Sequence, residues 1–338
     1  MRRIGITILW IVAAVCLTLV GVLSFFSWQA SERERETRQQ AAPTTGRFVS
    51  AGDLELFIQE MGPATGPVVL FVHGTGAWSE MWREPLTALA KAGYRAIAID
   101  VPPFGFSEKP QEPRYSTEDQ ARRIVALVHQ LAPRQLTLVG HSFGCRATVE
   151  AASHLVDQMQ ALVLIDAAVG LGSDDVPHAS GSLMGRAAST IFDVPIVRRG
   201  IVASTVTNPL LTRRLFQLLI EDPDDATDEL VTMLQRPLVV RDSTVRLSEW
   251  MQTFLFGDDA AALSGKPATY RSFVHPTLLL WGERDELTPL EQARQLEALL
   301  PDSTLVILKG VGHIPQVEDV QQFTEALLVF LKKQVPVA

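Results

Sequence analysis

Cysteine is scarce in this chain, which argues against a scaffold held together by disulfides. The 338 residues include only two cysteines, Cys16 and Cys145. Cys16 lies inside a long apolar run and Cys145 follows a glycine-rich motif, so we expect no disulfide between them. The histidines lack H-x-x-x-H spacing and the cysteines lack C-x-x-C spacing. The sequence therefore predicts no metal site, and nothing in it indicates a cofactor.

Basic residues are also fewer than acidic residues. The chain has 30 Lys and Arg against 38 Asp and Glu, for a net charge of −8. Residues 1–38 carry five arginines and three glutamates, so the remainder is more acidic than the whole. An acidic domain repels phosphate backbones. We therefore expect a small-molecule substrate and no nucleic-acid partner.

The N-terminal region lacks charge over a long stretch. Residues 4–26 contain no charged side chain and are rich in Ile, Leu, Val and Ala. At about 1.5 Å per helical residue they can cross a bilayer core of roughly 30 Å. A cleaved signal peptide has a shorter apolar core and a small-residue cleavage site, whereas the bulky Trp28 lies where that site would be. We predict an uncleaved transmembrane anchor over residues 1–30 that places the protein in the lipid bilayer.

Basic residues flank the apolar run on both sides. They are Arg2 and Arg3 before it and Arg33, Arg35 and Arg38 after it. The later three are interleaved with glutamates, which count little for orientation. The balance slightly favours a cytoplasmic amino terminus, so we expect a single-pass membrane protein with its folded part on the non-cytoplasmic side. Residues 31–46 are polar without an apolar face, which predicts a linker.

The rest of the chain alternates strand-like and helix-like segments. Alternating residues on both sides of Gly52 and Asp53 predict a β-hairpin. Short apolar runs follow, typical of strands buried on both faces of a mostly parallel sheet. These runs lie in PVVLFV, YRAIAI, QLTLVG, ALVLI, PTLLLW and STLVIL. With helix-like segments between them, they predict an α/β fold.

Two helix starts are marked by capping patterns. Thr117 with Gln120 predicts a capping box, and Thr288, Pro289 and Glu291 predict a cap, an N1 proline and an N3 glutamate. Between them, residues 170–269 contain no clear core strand. That segment has helix-like pieces at 185–192, 208–220 and 228–234, separated by prolines. It is typical of a helical lid over the carboxyl edge of the sheet. We therefore predict a core formed by residues 47–169 and 270–338, with a lid at 170–269.

One glycine-rich motif connects a strand-like run to a helix-like segment. Gly140, Ser142 and Gly144 form G-x-S-x-G. A tight strand-to-helix turn crowds its neighbours, so small residues must flank the serine. The serine Oγ then stands clear, near a helix N-terminus that favours developing negative charge. We interpret Ser142 as a nucleophile; the alternative is a serine that caps the helix.

A serine nucleophile needs a base, and the base needs an orienting carboxylate. His313 follows the last strand-like run in a glycine-rich loop, which makes it the candidate base. The segment WGERDELTP offers carboxylates at the end of another run, namely Glu283, Asp285 and Glu286. We favour Asp285, with Asp166 at the end of ALVLID as the main competitor. Asp100, also at a strand end, is expected to shape its own turn.

From about Arg47 onward the chain resembles the α/β-hydrolase superfamily. The resemblance is to its lid-bearing group of esterases, lipases, C–C hydrolases and epoxide hydrolases. It is carried by HGTG at 73–76, DVPPFGFS at 100–107, GHSFG at 140–144, WGERDELTP at 281–289 and GHIP at 312–315. It implies a mostly parallel sheet flanked by helices with a helical lid, and the order nucleophile Ser142, acid Asp285, base His313. It also implies backbone oxyanion donors at Phe143 and in HGTG, where we expect Thr75.

Departures from the family pattern narrow the activity. Epoxide hydrolases and haloalkane dehalogenases of this group carry Asp where this chain has Ser142. The family's C–C hydrolases often carry Asn before the nucleophile, and here that residue is His141. We expect a membrane-anchored serine hydrolase that cleaves a carboxylic ester of a lipophilic substrate through an acyl-enzyme. The alternatives are a C–C bond hydrolase and a non-catalytic binding protein of the same fold.

The lid offers two sets of candidate substrate contacts. Apolar residues can line a tunnel or form the lid's own core; they are Phe192, Leu210, Leu211, Phe216, Trp250 and Phe254. Arginines can meet an anionic head group or lie on solvated helix faces; they are Arg198, Arg199, Arg213 and Arg214.

Overall fold

The computed structural model describes residues 2–171, 183–257, 259 and 261–337. The strands are β1 (Gly46–Ala51), β2 (Leu54–Met61), β3 (Val68–Val72), β4 (Arg95–Ile99), β5 (Leu136–His141), β6 (Met159–Ile165), β7 (Thr277–Gly282) and β8 (Ser303–Leu308). The helices are α1 (Arg2–Arg33), α2 (Arg38–Ala41), α3 (Arg83–Lys91), α4 (Thr117–Leu131), α5 (Gly144–His154), α6 (Leu183–Phe192), α7 (Pro195–Ser204), α8 (Pro209–Gln217), α9 (Asp228–Gln235), α10 (Ser243–Phe256), α11 (Pro267–Arg271), α12 (Leu290–Leu299), α13 (Pro315–Glu318) and α14 (Val320–Gln334).

The strands form one eight-stranded sheet in the order β1-β2-β4-β3-β5-β6-β7-β8. β1 and β2 make the predicted antiparallel hairpin, and the turn between them uses Gly52 at φ 79°. β2 pairs antiparallel with β4, and every later pairing is parallel. Each predicted apolar run forms one of these parallel strands. The predicted α/β fold class, with a mostly parallel sheet flanked by helices, is confirmed.

Two apolar layers cover the sheet. One face is packed by α4, α5 and α12, and the other by α3 and α14. The strands are buried on both faces, which explains their nearly continuous apolar sequence. The carboxyl ends of β5, β6, β7 and β8 consequently meet at one edge, where the chain is free to carry polar side chains.

The helical insertion follows β6 at this same edge. Within the predicted lid, residues 172–182 lie outside the described residues, and the described part contains α6 to α10. The sequence predicted α6, α8 and α9 but missed α7 and α10. Pro195, one of the prolines between the predicted pieces, is the first residue of α7, and Gly200 lies in the middle of that helix. Asp242 precedes α10 in a left-handed conformation and makes no capping bond. The domain boundaries themselves stay predictions.

The capping box predicted at Thr117 was wrong by one residue. Ser116 is the N-cap of α4, and Asp119 returns the second hydrogen bond. Thr117 instead donates its hydroxyl to Asp259 at 2.7 Å, and Gln120 donates its amide to the carbonyl of Pro102. Thr117 and Gln120 thus bind neighbouring loops instead of capping the helix. A local sequence pattern does not reveal such contacts.

α1 is long, and its last turns lie against the lid. The stretch Ala13–Arg33 has 21 residues and contains an 18-residue window with a mean hydropathy of 1.7, so it is long and apolar enough to cross a membrane by length and composition. Up to Val22 the described side chains are almost all exposed. From there the covered residues recur at helical spacing on one face: Leu23, Phe26, Ser27 and Ala30. This face packs on α7, and Arg199 donates to the carbonyl of Ser27 at 3.4 Å.

The predicted polar linker is folded onto the lid rather than free. Glu34 is buried and accepts a hydrogen bond from the Thr244 backbone N–H at 3.1 Å and another from the Thr244 hydroxyl. Glu36 pairs with Val240 as an isolated β-bridge, and Thr37 caps α2. These contacts use backbone groups and single polar side chains. A search for an apolar face therefore could not find them.

The contact between α1 and α7 depends on the absence of a side chain at Gly200. A Cβ there would lie 2.6 Å from the Cβ of Leu23. We expect Gly200→Leu to lower the free energy of unfolding of the detergent-solubilised chain by about 1–3 kcal/mol, because overpacking forces the helices apart. Gly21→Leu is the matched control, since a Cβ at Gly21 has nothing within 4 Å. Equal denaturation midpoints for the two variants would contradict the packing argument.

Candidate active site

The turn between β5 and α5 is as tight as the glycine spacing predicts. Ser142 adopts φ 51°, in the left-handed region that L-residues rarely occupy. A Cβ on Gly144 would lie 2.3 Å from the carbonyl oxygen of His73. A Cβ on Gly140 would lie 2.6 Å from Thr148 Oγ1. Both glycines are therefore required for the backbone to present Ser142 at the sheet edge.

The structure brings the three predicted residues of the nucleophilic site together. Ser142 Oγ lies 2.8 Å from His313 Nε2, across 171 positions in sequence. His313 Nδ1 lies 2.8 Å from Asp285 Oδ2. All three side chains are buried. The serine hydroxyl, the imidazole and the carboxylate thus form one continuous hydrogen-bonded chain, the geometry required for proton transfer from a serine.

Asp285 is surrounded by hydrogen-bond donors. Its Oδ1 accepts from the backbone N–H groups of Leu287 at 2.8 Å and Thr288 at 2.9 Å. Its Oδ2 accepts from His313 and from the Thr288 hydroxyl. Burial disfavours its charge, but the bonds from His313 and Thr288 outweigh burial and leave the pKa of Asp285 below its ordinary value. The acid is therefore held as a carboxylate.

Thr288 corrects the second predicted helix start. The sequence suggested that its hydroxyl caps α12, but α12 begins at Leu290 and has no side-chain cap. Pro289 occupies the N-cap position, and Glu291 lies in the first turn. The Thr288 hydroxyl is instead committed to Asp285. Of the other candidate acids on this loop, Glu283 and Glu286 are exposed and do not contact His313.

His141 has a supporting role that the sequence did not indicate. Its Nε2 lies 2.8 Å from the backbone carbonyl of His313. Because a carbonyl only accepts, Nε2 carries the proton and donates. Burial, reinforced by the neighbouring His313, lowers the pKa of His141 to about 3, so the ring is neutral. His141 therefore fixes the loop that carries His313.

His73 and Asp100 organise the loops beside the nucleophile. His73 Nε2 accepts from the Val101 N–H at 2.9 Å, so its Nδ1 carries the proton and donates to the Gly74 carbonyl at 2.7 Å. Burial lowers the pKa of His73 to about 4. Asp100 accepts from the backbone N–H groups of Ser79 and Phe106, both at 2.7 Å. It shapes its own turn, as predicted.

The predicted oxyanion donors border the nucleophile. The HGTG loop is close enough that a Cβ on Gly74 would lie 2.9 Å from the Ser142 Cβ. Within the described part of the chain, the backbone N–H groups of Thr75 and Phe143 donate to no other residue. They are therefore available to a ligand. Their assignment as the oxyanion hole stays a prediction.

An aromatic cover, formed by Trp250 and Phe254, lies on Phe143, the residue after Ser142. Trp250 and Phe254 of α10 stack with ring centroids 4.9 Å apart. Both lie against Phe143, with centroids 5.7 Å and 5.1 Å from it. Trp250 also contacts Phe104 at 4.8 Å. A space of about 10 Å³, room for roughly one water molecule, lies beside Phe104, Phe143 and Gly144. Ser142 itself is only 6% exposed, so the described residues leave little of it open to a substrate.

Phe216 is buried with Ala77 and Ile314, the residues that directly follow HGTG and His313. The other lid candidates lie farther away: Phe192 contacts Phe256, and Leu210 is 85% exposed. Leu211 is partly buried. Among the candidate tunnel residues, the ring contacts connect only Trp250 and Phe254 to Phe143.

The four lid arginines do not behave as one group. Arg198 is buried and bonded to the Phe192 carbonyl and to Gln252, which contradicts both interpretations of it. Arg199 donates a hydrogen bond to the Ser27 carbonyl of α1, and Arg213 forms an ion pair with Asp228. Arg214 is exposed, in line with a solvated helix face.

One cluster has the composition of a metal site. Within the described residues, Asp166, Asp285 and His313 offer ligand atoms that all lie within 4.8 Å of one another. His313 and Asp285 are already directly hydrogen-bonded to each other, and His313 Nε2 is committed to Ser142. The cluster is therefore explained by proton transfer chemistry, and the absence of a metal stays a prediction.

Comparison with known proteins identifies the family. The family model for the alpha/beta hydrolase fold matches residues 67–320. The chain belongs to the alpha/beta-hydrolase fold family. It is 26% identical to the uncharacterized hydrolase YugF of Bacillus subtilis, over 77% of this chain and 88% of that protein. It is also 26% identical to a 2-hydroxy-6-oxononadienedioate/2-hydroxy-6-oxononatrienedioate hydrolase of Pseudomonas putida, over 83% of this chain and 92% of that protein.

Solved structures resemble the chain at a similar level. A serine hydrolase involved in carbazole degradation has a TM-score of 0.68 at 25% identity, covering 85% of this chain and 98% of its own. A membrane phospholipase A has a TM-score of 0.66 at 25% identity, covering 98% of this chain and 99% of its own. The second match therefore extends through the N-terminal helix.

Thr288→Val tests whether the hydrogen bond from the Thr288 hydroxyl to Asp285 contributes to the reactivity of Ser142. Valine has a similar shape but removes the hydroxyl that donates to Asp285. A hydrogen bond to a charged group contributes about 1.5–3 kcal/mol, so we expect the rate of labelling of Ser142 by a fluorophosphonate to fall about tenfold or more. Thr190→Val is the control, because the Thr190 hydroxyl bonds only to its own helix. Equal labelling rates in both variants would contradict the role of Thr288.

Proposed function

We propose that this protein is a membrane-anchored serine hydrolase that cleaves carboxylic esters of lipophilic substrates. The main observation that supports hydrolase activity is the hydrogen bond between Ser142 Oγ and His313 Nε2, together with the hydrogen bond between His313 Nδ1 and Asp285. A serine hydroxyl becomes a nucleophile when an adjacent base takes its proton, and this geometry supplies that base. The folded part is proposed to lie on the non-cytoplasmic side, following the distribution of arginines around α1.

The reaction follows from this geometry in two stages. His313 Nε2 takes the proton of Ser142 as Oγ attacks the ester carbonyl, and Asp285 stabilises the imidazolium. The tetrahedral intermediate collapses, His313 returns the proton to the leaving alcohol, and an acyl-enzyme remains on Ser142. Water then attacks the acyl-enzyme with His313 as base, which releases the acid. The backbone N–H groups of Phe143 and Thr75 are proposed to hold the oxyanion, each worth about 3–4 kcal/mol of barrier.

The surroundings of Ser142 favour a lipophilic substrate. The small space beside Phe143 and Gly144, the two residues that follow Ser142, has a mostly apolar lining that includes Val101, Phe104 and Ala147. The aromatic cover adds Trp250 and Phe254. Similarity to a membrane phospholipase A over 98% of the chain, N-terminal helix included, supports an ester substrate drawn from lipid.

The register of α1 and α7 indicates which part of the lid lies nearest the proposed bilayer. Gly200 of α7 meets Leu23 of α1. Beyond the ends of these helices, Thr207 and Glu34 both bond to the hydroxyl of Thr244. The two helices therefore run in the same direction. The start of α7 accordingly lies toward the exposed, apolar part of α1.

An exposed apolar patch lies at this end of the lid. We call it the lid corner; its residues are Ile191, Val194, Ile196, Phe254 and Leu255, each 40% to 72% exposed. Gln252 donates to Asp193 at 2.6 Å, which holds the end of α10 beside the connection between α6 and α7. Phe254 belongs both to this corner and to the aromatic cover. We propose that the lid corner enters the bilayer interface and delivers lipid esters toward Ser142.

A second candidate function is hydrolysis of a C–C bond next to a ketone. The curated relatives include proteins named as hydrolases of 2-hydroxy-6-oxo dienoates. A carboxylate substrate is bound well by a cationic side chain. Among the described residues that line the small space beside Phe143, Arg146 is the one with a cationic side chain. It is held by Asp259 at 3.6 Å and donates to the Ala168 carbonyl at 3.2 Å. That pairing weakens Arg146 as an anion receptor and ranks ester hydrolysis first.

Covalent labelling and a substrate panel test the proposed function. We expect a fluorophosphonate to label the wild-type chain and Ser142→Ala to abolish labelling, because the reagent requires an activated serine. Release of acid from long-chain acyl esters should exceed turnover of a 2-hydroxy-6-oxo dienoate. The reverse preference would favour the C–C hydrolase. No labelling of the well-folded wild type would favour a non-catalytic binding protein.

Charge at the lid corner tests entry from the bilayer. We expect Ile196→Asp to lower the ratio of hydrolysis of phospholipid vesicles to hydrolysis of a soluble short-chain ester by about tenfold. An aspartate at a membrane surface costs a few kcal/mol to bury, which is enough for that change. Val274→Asp is the matched control, since Val274 is 70% exposed but precedes β7 at the opposite edge of the sheet. Equal ratios for both variants would contradict entry through this corner.

A further inference from the structure

Two carboxyl groups are buried side by side behind the base. Asp166 follows β6 and Asp285 follows β7, which are adjacent parallel strands. A carboxylate oxygen of each lies within 4.8 Å of the other and of a ring nitrogen of His313. Two ionised carboxylates this close, away from water, repel strongly, so one of the two must hold a proton. The mechanism uses Asp285 and leaves Asp166 without a role.

The distribution of donors decides which carboxyl group is ionised. Asp285 accepts four hydrogen bonds, from Leu287, His313 and twice from Thr288. Asp166 accepts one, from the Gly282 N–H at 2.8 Å to Oδ1. Its buried Oδ2 has no hydrogen-bond partner in the described residues. A buried negative charge is stable only where donors surround it, so the charge resides on Asp285.

We propose that Asp166 is a positioning residue held as a neutral carboxylic acid, with its proton on Oδ2 facing Asp285. The pair then carries a single negative charge. The bare Oδ2 becomes a donor directed toward the nearest carboxylate, which accounts for its lack of a partner. The proposal rests on the proposed function only in assigning His313 as the base.

The electrostatic surroundings agree with this assignment. Burial, and then the charge of Asp285, raise the pKa of Asp166 well above its ordinary value, and Glu318 adds to the effect. The Gly282 N–H opposes it. The other titratable groups near the pair carry no compensating charge. His141 is neutral, and burial raises the pKa of the Cys145 thiol.

A proton on Asp166 matters for the base. A second negative charge within 4.8 Å of His313 would hold the imidazole in its protonated form, which cannot accept the proton of Ser142. With Asp166 neutral, His313 faces one carboxylate rather than two. Asp166 also has φ 42°, a conformation that Asp and Asn tolerate better than most residues. Asn and Gly are therefore the substitutions that leave the backbone unstrained.

Kinetics of Asp166→Asn and Asp166→Gly test the charge state. Asn removes no charge if Asp166 is neutral, so the acid limb of kcat/KM against pH should stay at the wild-type position. A shift of that limb to lower pH by about 1–3 units would show that an ionised group was lost and would overturn the proposal.

We expect Asp166→Gly, which removes the group facing Asp285, to lower kcat about tenfold more than Asn does, with KM little changed. Equal kcat values would overturn the positioning role.

Two measurements without substrate test the proton directly. At pH 8, where Asp100 with a pKa of about 6 is ionised, the infrared band of a protonated carboxylic acid should be present in wild type and weaker in Asp166→Asn. A comparison of the two proteins is needed because burial also raises the pKa of Glu34, and equal bands would overturn the proposal. The stability of wild type relative to Asp166→Asn should be greatest below the unfolded pKa of about 4. Above that pH the relative stability should fall. The unfolding equilibrium constant of wild type, divided by that of Asp166→Asn, should rise about tenfold per pH unit until the folded-state pKa of Asp166 is reached. An absent band or a pH-independent difference would overturn the proposal, whether or not the protein hydrolyses esters.

Discussion

The buried negative charge of Asp285 is the constraint on which the rest of the site depends. A carboxylate removed from water is costly unless donors replace the water, and here the backbone of Leu287 and Thr288 supplies two of them. The Thr288 hydroxyl and His313 supply two more. Because the imidazole is one of the donors that stabilise this charge, its orientation toward Ser142 is fixed by the same bonds.

The rigid backbone around the site has a complementary cause. Ser142 can stand at the sheet edge only because Gly140 and Gly144 allow the chain to pass close to Thr148 and His73. The loop of His313 is tied to β5 through His141. The nucleophile follows β5 and the base follows β8, and the hydrogen bond from His141 to the His313 carbonyl connects the two. Preorganisation of this kind avoids the cost of assembling the groups when substrate arrives.

The sequence predicts those parts of the protein that depend on local patterns. Strands buried on both faces appear as apolar runs, and the crowded turn at Ser142 appears as flanking glycines. Thr288 was predicted wrongly, because a threonine before a proline and a glutamate has the pattern of a helix cap. Its actual partner, Asp285, is only three residues away, and no pattern distinguishes the two uses. Asp166 and His141 act through residues distant in sequence, so only the folded structure reveals their contacts.

The attachment of α1 to the lid limits how the aromatic cover can open. α10 carries Trp250 and Phe254 and packs on α7, and α7 in turn packs on α1. If α7 moved with α10, the close contact between Gly200 and Leu23 would be lost. If α10 moved alone, the bonds of Gln252 to Asp193 and Arg198 would break.

Either movement would also expose apolar surface, because water does not replace apolar packing. Moving α7 would separate it from α1, and moving α10 alone would separate Leu247 and Trp250 from Val202 of α7, with which they form a buried apolar cluster. At its start α10 is also bonded to the segment after α1, through Thr244 and Glu34. The aromatic cover is therefore connected to α1 by continuous packing through α10 and α7.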